Sequence, residues 1–244
     1  MNGQAINDGA TIDWTQIKLV VFDVDGTLYS QRHVRIRMAV RLILFCLRLW
    51  SLAPVRIIQH YRMHRETLAE RELEDFENVL LNDTAKATGM PLAAVKATID
   101  EWLEHRPLSL LRRARYRHLD HVFGALRARG IRIGVLSDYP AVAKLAALGL
   151  DADLIVWSGQ AEVSVLKPHP RGLELLLSRA DVDAEHVIMI GDRDDRDGEI
   201  ARRAGVRVFI RSAVQRAHQN AFKSYDRAPF NTLLNAFSKG SGGG

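Results

Sequence analysis

One cysteine, Cys46, in 244 residues excludes an internal disulfide and any zinc cluster built on paired cysteines. That count fits a reducing compartment, so a cytoplasmic protein is the expectation. Long hydrophobic runs are missing as well. The longest near the start, Leu42–Leu47, is closed by Arg41 and Arg48, well short of the roughly 20 apolar residues that span a bilayer. Residues 1–16 are polar and lack the basic start and apolar run of a secretory signal, so a flexible leader is expected there. A flexible tail is expected over 238–244, where the chain closes on Gly240-Ser241-Gly242-Gly243-Gly244. Acidic residues are absent from one long stretch: none stands between Asp25 and Glu66, whereas eight arginines do.

What is present suits an ordinary globular protein. With 47% hydrophobic and 26% charged residues, the chain can bury one large core, or a core with a modest insert. A formal charge of +5 favours anionic partners (phosphate esters, anionic lipid or nucleic acid) without choosing among them.

Short apolar, β-branched runs predict strands at Lys18–Phe22, Ile131–Leu136, Leu154–Trp157, Val187–Ile190 and Val206–Ile210. Helical patterns precede the later four, and Gly130, Gly149 and Gly205 mark helix ends. Alternation of this kind implies an α/β fold with a doubly wound, mostly parallel sheet, whose ligand site lies at the carboxyl ends of the strands. The predicted core covers 17–28 and 116–237. Between them, 29–115 loses the alternation and favours helix over 34–50, 54–80, 83–88 and 91–104, with breaks near Pro54, Asn82 and Gly89-Met90-Pro91. This reads as a helical insert after the first strand.

Polar residues follow the strands in order. Asp23 and Asp25 come after the first, Ser137 and Asp138 after the second, Lys167 in the loop beyond the third, and Asp192, Asp194, Asp195 and Asp197 after the fourth. Asp23 and Asp25 before Gly26 would alone suit a capped turn. Four such groups at one sheet edge crowd carboxylates beside a lysine and a hydroxyl. Crowded carboxylates repel, so a divalent cation is their natural partner, and hard oxygen ligands suit Mg2+.

Asp23-Val24-Asp25-Gly26-Thr27-Leu28, with Ser137, Lys167 and Gly191-Asp192-Arg193 in the same order, resembles the haloacid dehalogenase superfamily of phosphohydrolases. The resemblance implies a phosphatase in which Asp23 is the nucleophile and Asp25 the general acid and base. It further implies that Gly26, Thr27, Ser137 and Lys167 bind the phosphoryl group. Mg2+ would be held by Asp23, the main-chain carbonyl of Asp25, and Asp192, with Asp197 favoured over Asp195 as the remaining acid, since position 196 is arginine. Relatives that cleave carbon–halogen bonds usually lack an acid where Asp25 stands, so phosphate esters are expected, by hydrolysis or by transfer within a sugar as in phosphomutases.

By the same resemblance, 29–115 is a helical cap that closes over a phosphorylated small-molecule substrate. Arg37, Arg41 and Arg48 share a face of its first helix, and the rest of Val34–Trp50 is strongly apolar. Three readings stay open for this helix: packing within the cap, a peripheral membrane or lipid-phosphate contact, and a protein partner. Nucleic acid is set aside, because no aromatics interleave the basic residues and no recognition motif accompanies them.

Overall fold

Strand β1 (Leu19–Phe22) is apolar at every position because it is covered on both faces. The computed structural model describes residues 12–212 and 220–240. Strands β2 (Arg132–Ser137), β3 (Leu154–Trp157), β4 (Val187–Gly191), β5 (Arg207–Arg211) and β6 (Ala221–Phe222) complete a parallel sheet in the order β3-β2-β1-β4-β5-β6. The chain moves outward from β1 to β3, then returns past β1 to β4. The reversal places a crevice at the carboxyl end of β1.

Five helices form the insert: α1 (Gln31–Leu49), α2 (Ala53–Glu70), α3 (Phe76–Thr88), α4 (Leu92–Ile99) and α5 (Leu108–Ala114). Among the described residues, five more belong to the core: α6 (Leu119–Ala128), α7 (Val142–Leu148), α8 (Arg171–Ala180), α9 (Glu199–Arg203) and α10 (Asn231–Gly240). Strand side chains alternate between two layers. Val20, Phe22, Ile133, Val135, Ile188 and Ile190 pack with Val122 and Phe123 of α6, Leu145 of α7 and Leu233 of α10. Leu19, Val21, Leu136, Val156, Val187 and Met189 pack with Leu173 and Leu176 of α8 and Ile200 of α9.

The five expected strands stand within one residue of their predicted ends; β6, two residues long, carries too little pattern to be read. Ile57, Tyr61, Leu68, Phe76, Leu80, Val95 and Ile99 of the insert form a further cluster, which Leu166 of the loop before Lys167 joins. Its entry and exit run side by side: Tyr29 bridges Arg115 antiparallel, and Ser30 N–H donates to the Ala114 carbonyl at 2.9 Å.

Several expectations require correction. Residues 12–16 of the expected leader are anchored, with Ile12 and Trp14 buried; Trp14 stacks on Phe230 and donates to Thr232 Oγ1 at 3.1 Å. Residues 1–11 lie outside the described residues. Helix α10 runs to Gly240, so 238–240 of the expected tail are helical, and 241–244 fall outside the description. The break expected near Asn82 is absent, because its amide donates to the Asn78 carbonyl one turn back at 2.8 Å and α3 passes through. The helix ends instead at Glu70. Positive φ at Glu72 and Asp75 turns the chain, and Glu72 and Glu74 then reach Arg203 and Arg171 of the core. Helix α5, unread in the sequence, starts directly after Pro107.

Candidate active site

The polar residues of the site stand at or just past the carboxyl ends of the strands, beneath the insert. Asp23 follows β1 and is buried. Lys167 Nζ donates to its Oδ1 at 2.6 Å and to Asp197 Oδ1 at 2.7 Å; Thr27 Oγ1 donates to Asp23 Oδ2 at 2.9 Å. Asp197 is fixed from its other oxygen, Oδ2, which accepts the N–H groups of Asp192 and Arg193, each at 3.1 Å. Asp195 turns outward to Arg193.

Two glycines allow this closeness. Gly26 has φ +99, and a Cβ there would stand 2.0 Å from Asp192 Oδ2; a Cβ on Gly191 would stand 2.3 Å from Asp197 Cβ. Gly26→Ala is therefore expected to lower stability by about 1–3 kcal/mol and to displace Asp192. Thermal denaturation and divalent-cation titration check both effects.

Asp23, Asp192 and Asp197 present oxygens within 4.8 Å of one another. Burial pushes the Asp23 carboxyl well above its ordinary value; Lys167 opposes this, and Asp197 and Asp192 add to it. Burial and the neighbouring Asp197 push Asp192 up to about 7. One lysine thus leaves negative charge uncompensated in an all-oxygen donor set, which fits a small, hard cation such as Mg2+. When bound there, such an ion would neutralise phosphoryl charge. The side chain of Asp25 lies outside this group, so any share it takes would come through its main chain.

The raised pKa of Asp192 has a consequence for stability. Its folded-state value exceeds the unfolded one, so without cation its contribution is greatest at low pH and is lost as pH rises through about 7. A bound cation removes that cost by competing with the proton. Stabilisation by Mg2+ should accordingly grow with pH through about 7, a trend that melting temperatures with and without Mg2+ would reveal.

Asp25 has different company. Buried Lys144 of α7 donates to both its oxygens, at 2.8 and 2.6 Å, and Tyr29 Oη donates to Oδ1. Burial raises the Asp25 pKa, but Lys144 and Tyr29 outweigh it and hold the carboxyl below its ordinary range. Ser137, buried at the end of β2, accepts the N–H of Tyr139 at Oγ, 3.2 Å. Its own proton meets no acceptor among the described residues.

The pocket over these groups is roofed by the insert, with Arg35 of α1, Arg62, Arg65 and Glu66 of α2, and Trp102 and Glu104 on its walls. Glu66 latches roof to floor: Arg193 Nη1 lies 3.0 Å from its Oε1, and buried Arg196 Nη2 lies 3.0 Å from its Oε2. Arg65 donates to the Asp138 carbonyl and lies over the Tyr139 ring, 4.0 Å from its centre. Sequence reasoning missed Lys144, Tyr29, Glu66 and Arg196. Lys144 alone left a signal, as the single charge in the otherwise apolar helix Val142–Leu148.

Fold and site together define an α/β protein with a cluster of carboxylates just past a central strand of its parallel sheet. The family model of the haloacid dehalogenase-like hydrolases matches residues 17–205, and the chain belongs to that family. It is similar to a phosphoglycolate phosphatase of Rhodospirillum rubrum, 38% identical over 94 residues; the match spans 37% of this chain and about two fifths (39%) of that relative. Among solved structures, the 2-haloacid dehalogenase of Pseudomonas syringae aligns with a TM-score of 0.62 at 20% identity, over 91% of this chain and 99% of that one. The magnesium-bound hydrolase YfnB of Bacillus subtilis aligns with a TM-score of 0.65 at 14% identity, over 90% and 99%. These structures share the fold.

Proposed function

We propose that the chain is a magnesium-dependent phosphatase that cleaves phosphomonoesters through an aspartyl-phosphate on Asp23. The observation that carries this reading is the pair of differently held carboxylates: Asp23 against Lys167 and Thr27, and Asp25 against Lys144 and Tyr29. An Asp23 oxygen attacks phosphorus, and the bond from phosphorus to the ester oxygen breaks. The negative charge of the bound phosphoryl group favours the protonated form of Asp25 against the pull of Lys144 and Tyr29, and that proton goes to the leaving oxygen. Asp25 then takes a proton from water as that water attacks phosphorus, and Asp23 departs as a carboxylate.

Lys167 offsets the charge of the phosphoryl oxygens and orients Asp23. The hydroxyl of Ser137 and the main chain at Gly26 and Thr27 donate to those oxygens. Asp192 and Asp197, with Asp23 and the Asp25 carbonyl, would hold the cation. The name of the Rhodospirillum relative agrees with phosphatase chemistry.

A panel of phosphorylated metabolites, assayed for released phosphate with Mg2+ and with EDTA, tests the proposal. Phosphate released only with Mg2+ supports it; no release from any ester would count against it. A bisphosphorylated sugar accumulating in place of phosphate would mark a mutase instead.

Lys144 supplies a separate check. Replacing it with methionine leaves the burial of Asp25 opposed mainly by Tyr29, so the Asp25 pKa should rise. The limb of the pH–rate profile that reports Asp25 then moves to higher pH; an unmoved limb would detach Lys144 from the chemistry.

A further inference from the structure

Helix α1 is apolar on two opposite faces. Val34, Met38 and Cys46 are buried on the inner one. On the outer one, Ile36, Val40, Ile43, Leu44 and Leu47 are each between 53% and 65% exposed, at helical spacings of three, four and seven. Trp50, 96% exposed, and Leu52, 63% exposed, extend the patch past the end of the helix. One apolar stripe is enough to seat a helix on its own core, so the second calls for another partner.

The rim of that patch says which partner. At 3.6 residues per turn, Arg37, Arg41 and Arg48 flank the outer stripe on one side and Arg32 on the other. Arg41 and Arg48 also line a cleft with Leu44, Phe45, His105 and Arg106. No acid occurs between Asp25 and Glu66, and Arg32, Arg37 and Arg48 form no ion pair among the described residues. A second copy of the chain would bring arginine against arginine. An anionic bilayer supplies both hydrocarbon for the stripe and phosphate for the rim.

We infer that the outer face of α1 docks this protein on an anionic membrane surface. The helix lies in the interface and does not cross: the stripe from 36 to 47 is about 16 Å long, and among the described residues no helix is long and apolar enough to span a membrane. The inner face keeps its own task, with Val34, Arg35 and Met38 lining the catalytic pocket.

Co-sedimentation of the full chain with lipid vesicles tests this inference. The chain should pellet with vesicles of phosphatidylcholine mixed with phosphatidylglycerol. It should stay in solution with phosphatidylcholine alone, or when salt screens the arginines. The double variants Leu44→Glu/Leu47→Glu and Arg37→Glu/Arg48→Glu should each lose about tenfold or more of the partition, with parent-like melting temperatures showing that they fold. Three results would overturn it: no partition into either vesicle, double variants that bind as the parent does, or a solution dimer that Leu44→Glu/Leu47→Glu dissociates, which would give the face to a second copy. Preference for an acidic polypeptide over vesicles would likewise reassign it to a protein partner.

Discussion

Asp23→Asn should reduce kcat/KM for any phosphomonoester substrate on the order of 10⁴-fold or more, because it removes the proposed nucleophile and no neighbour can replace it. Asp25 is the nearest rival in sequence, but both its oxygens are engaged by Lys144 and one also by Tyr29. Asparagine keeps the shape of the side chain. Lys167 keeps Asp197 at 2.7 Å, so no buried cation is stranded. One of three crowded carboxylates also disappears, and burial had made the ionised form of Asp23 costly. The melting temperature should therefore hold or rise while activity collapses. A parent-like rate in the variant would refute the assignment of Asp23.

Chelation with EDTA should lower the rate by roughly 10³-fold or more, corresponding to several kcal/mol of lost charge stabilisation, and added Mg2+ should restore it. The reason lies in the unbalanced charge at the floor of the pocket. Asp23, Asp192 and Asp197 converge there within 4.8 Å, and among the described residues Lys167, paired with Asp23 and Asp197, is the one cation bonded to them. A phosphoryl group brings further negative charge to the same place. A titration of rate against free Mg2+ checks this, and full activity in EDTA would overturn the proposed metal site.

Much of this architecture was legible because apolar strands and polar strand ends are short-range signals. Leu19–Phe22 announces a strand covered on both faces, and Asp23 and Asp25 follow it without a gap. Lys167 and Asp197 can be anticipated from the rule that α/β sheets bind at strand ends, together with the resemblance to a known order of motifs. Contacts between distant segments were not legible. Glu66 gives no local sign that it meets Arg193 and Arg196, 127 and 130 residues away. Lys144 reaches Asp25 across 119 residues, and only its isolation in an apolar helix hints at it. Helix breaks in the insert were misplaced for a related reason. Propensity marked Asn82, whereas the real turn at 71–75 is spent on ion pairs to Arg203 and Arg171. The arginines of α1 were legible as unusual, but only the fold shows that Ile36, Val40, Ile43, Leu44 and Leu47 face away from the core.

The proposed covalent role of Asp23 is tested most directly by trapping the phosphoenzyme. The protein is mixed with a good substrate and Mg2+, quenched in acid within one turnover, digested, and mapped by mass spectrometry. The expected finding is one phosphoryl group on the peptide that carries Asp23, absent in Asp23→Asn. A phosphoryl group on another residue would contradict the proposed mechanism, as would none on the enzyme at any time while phosphate is released.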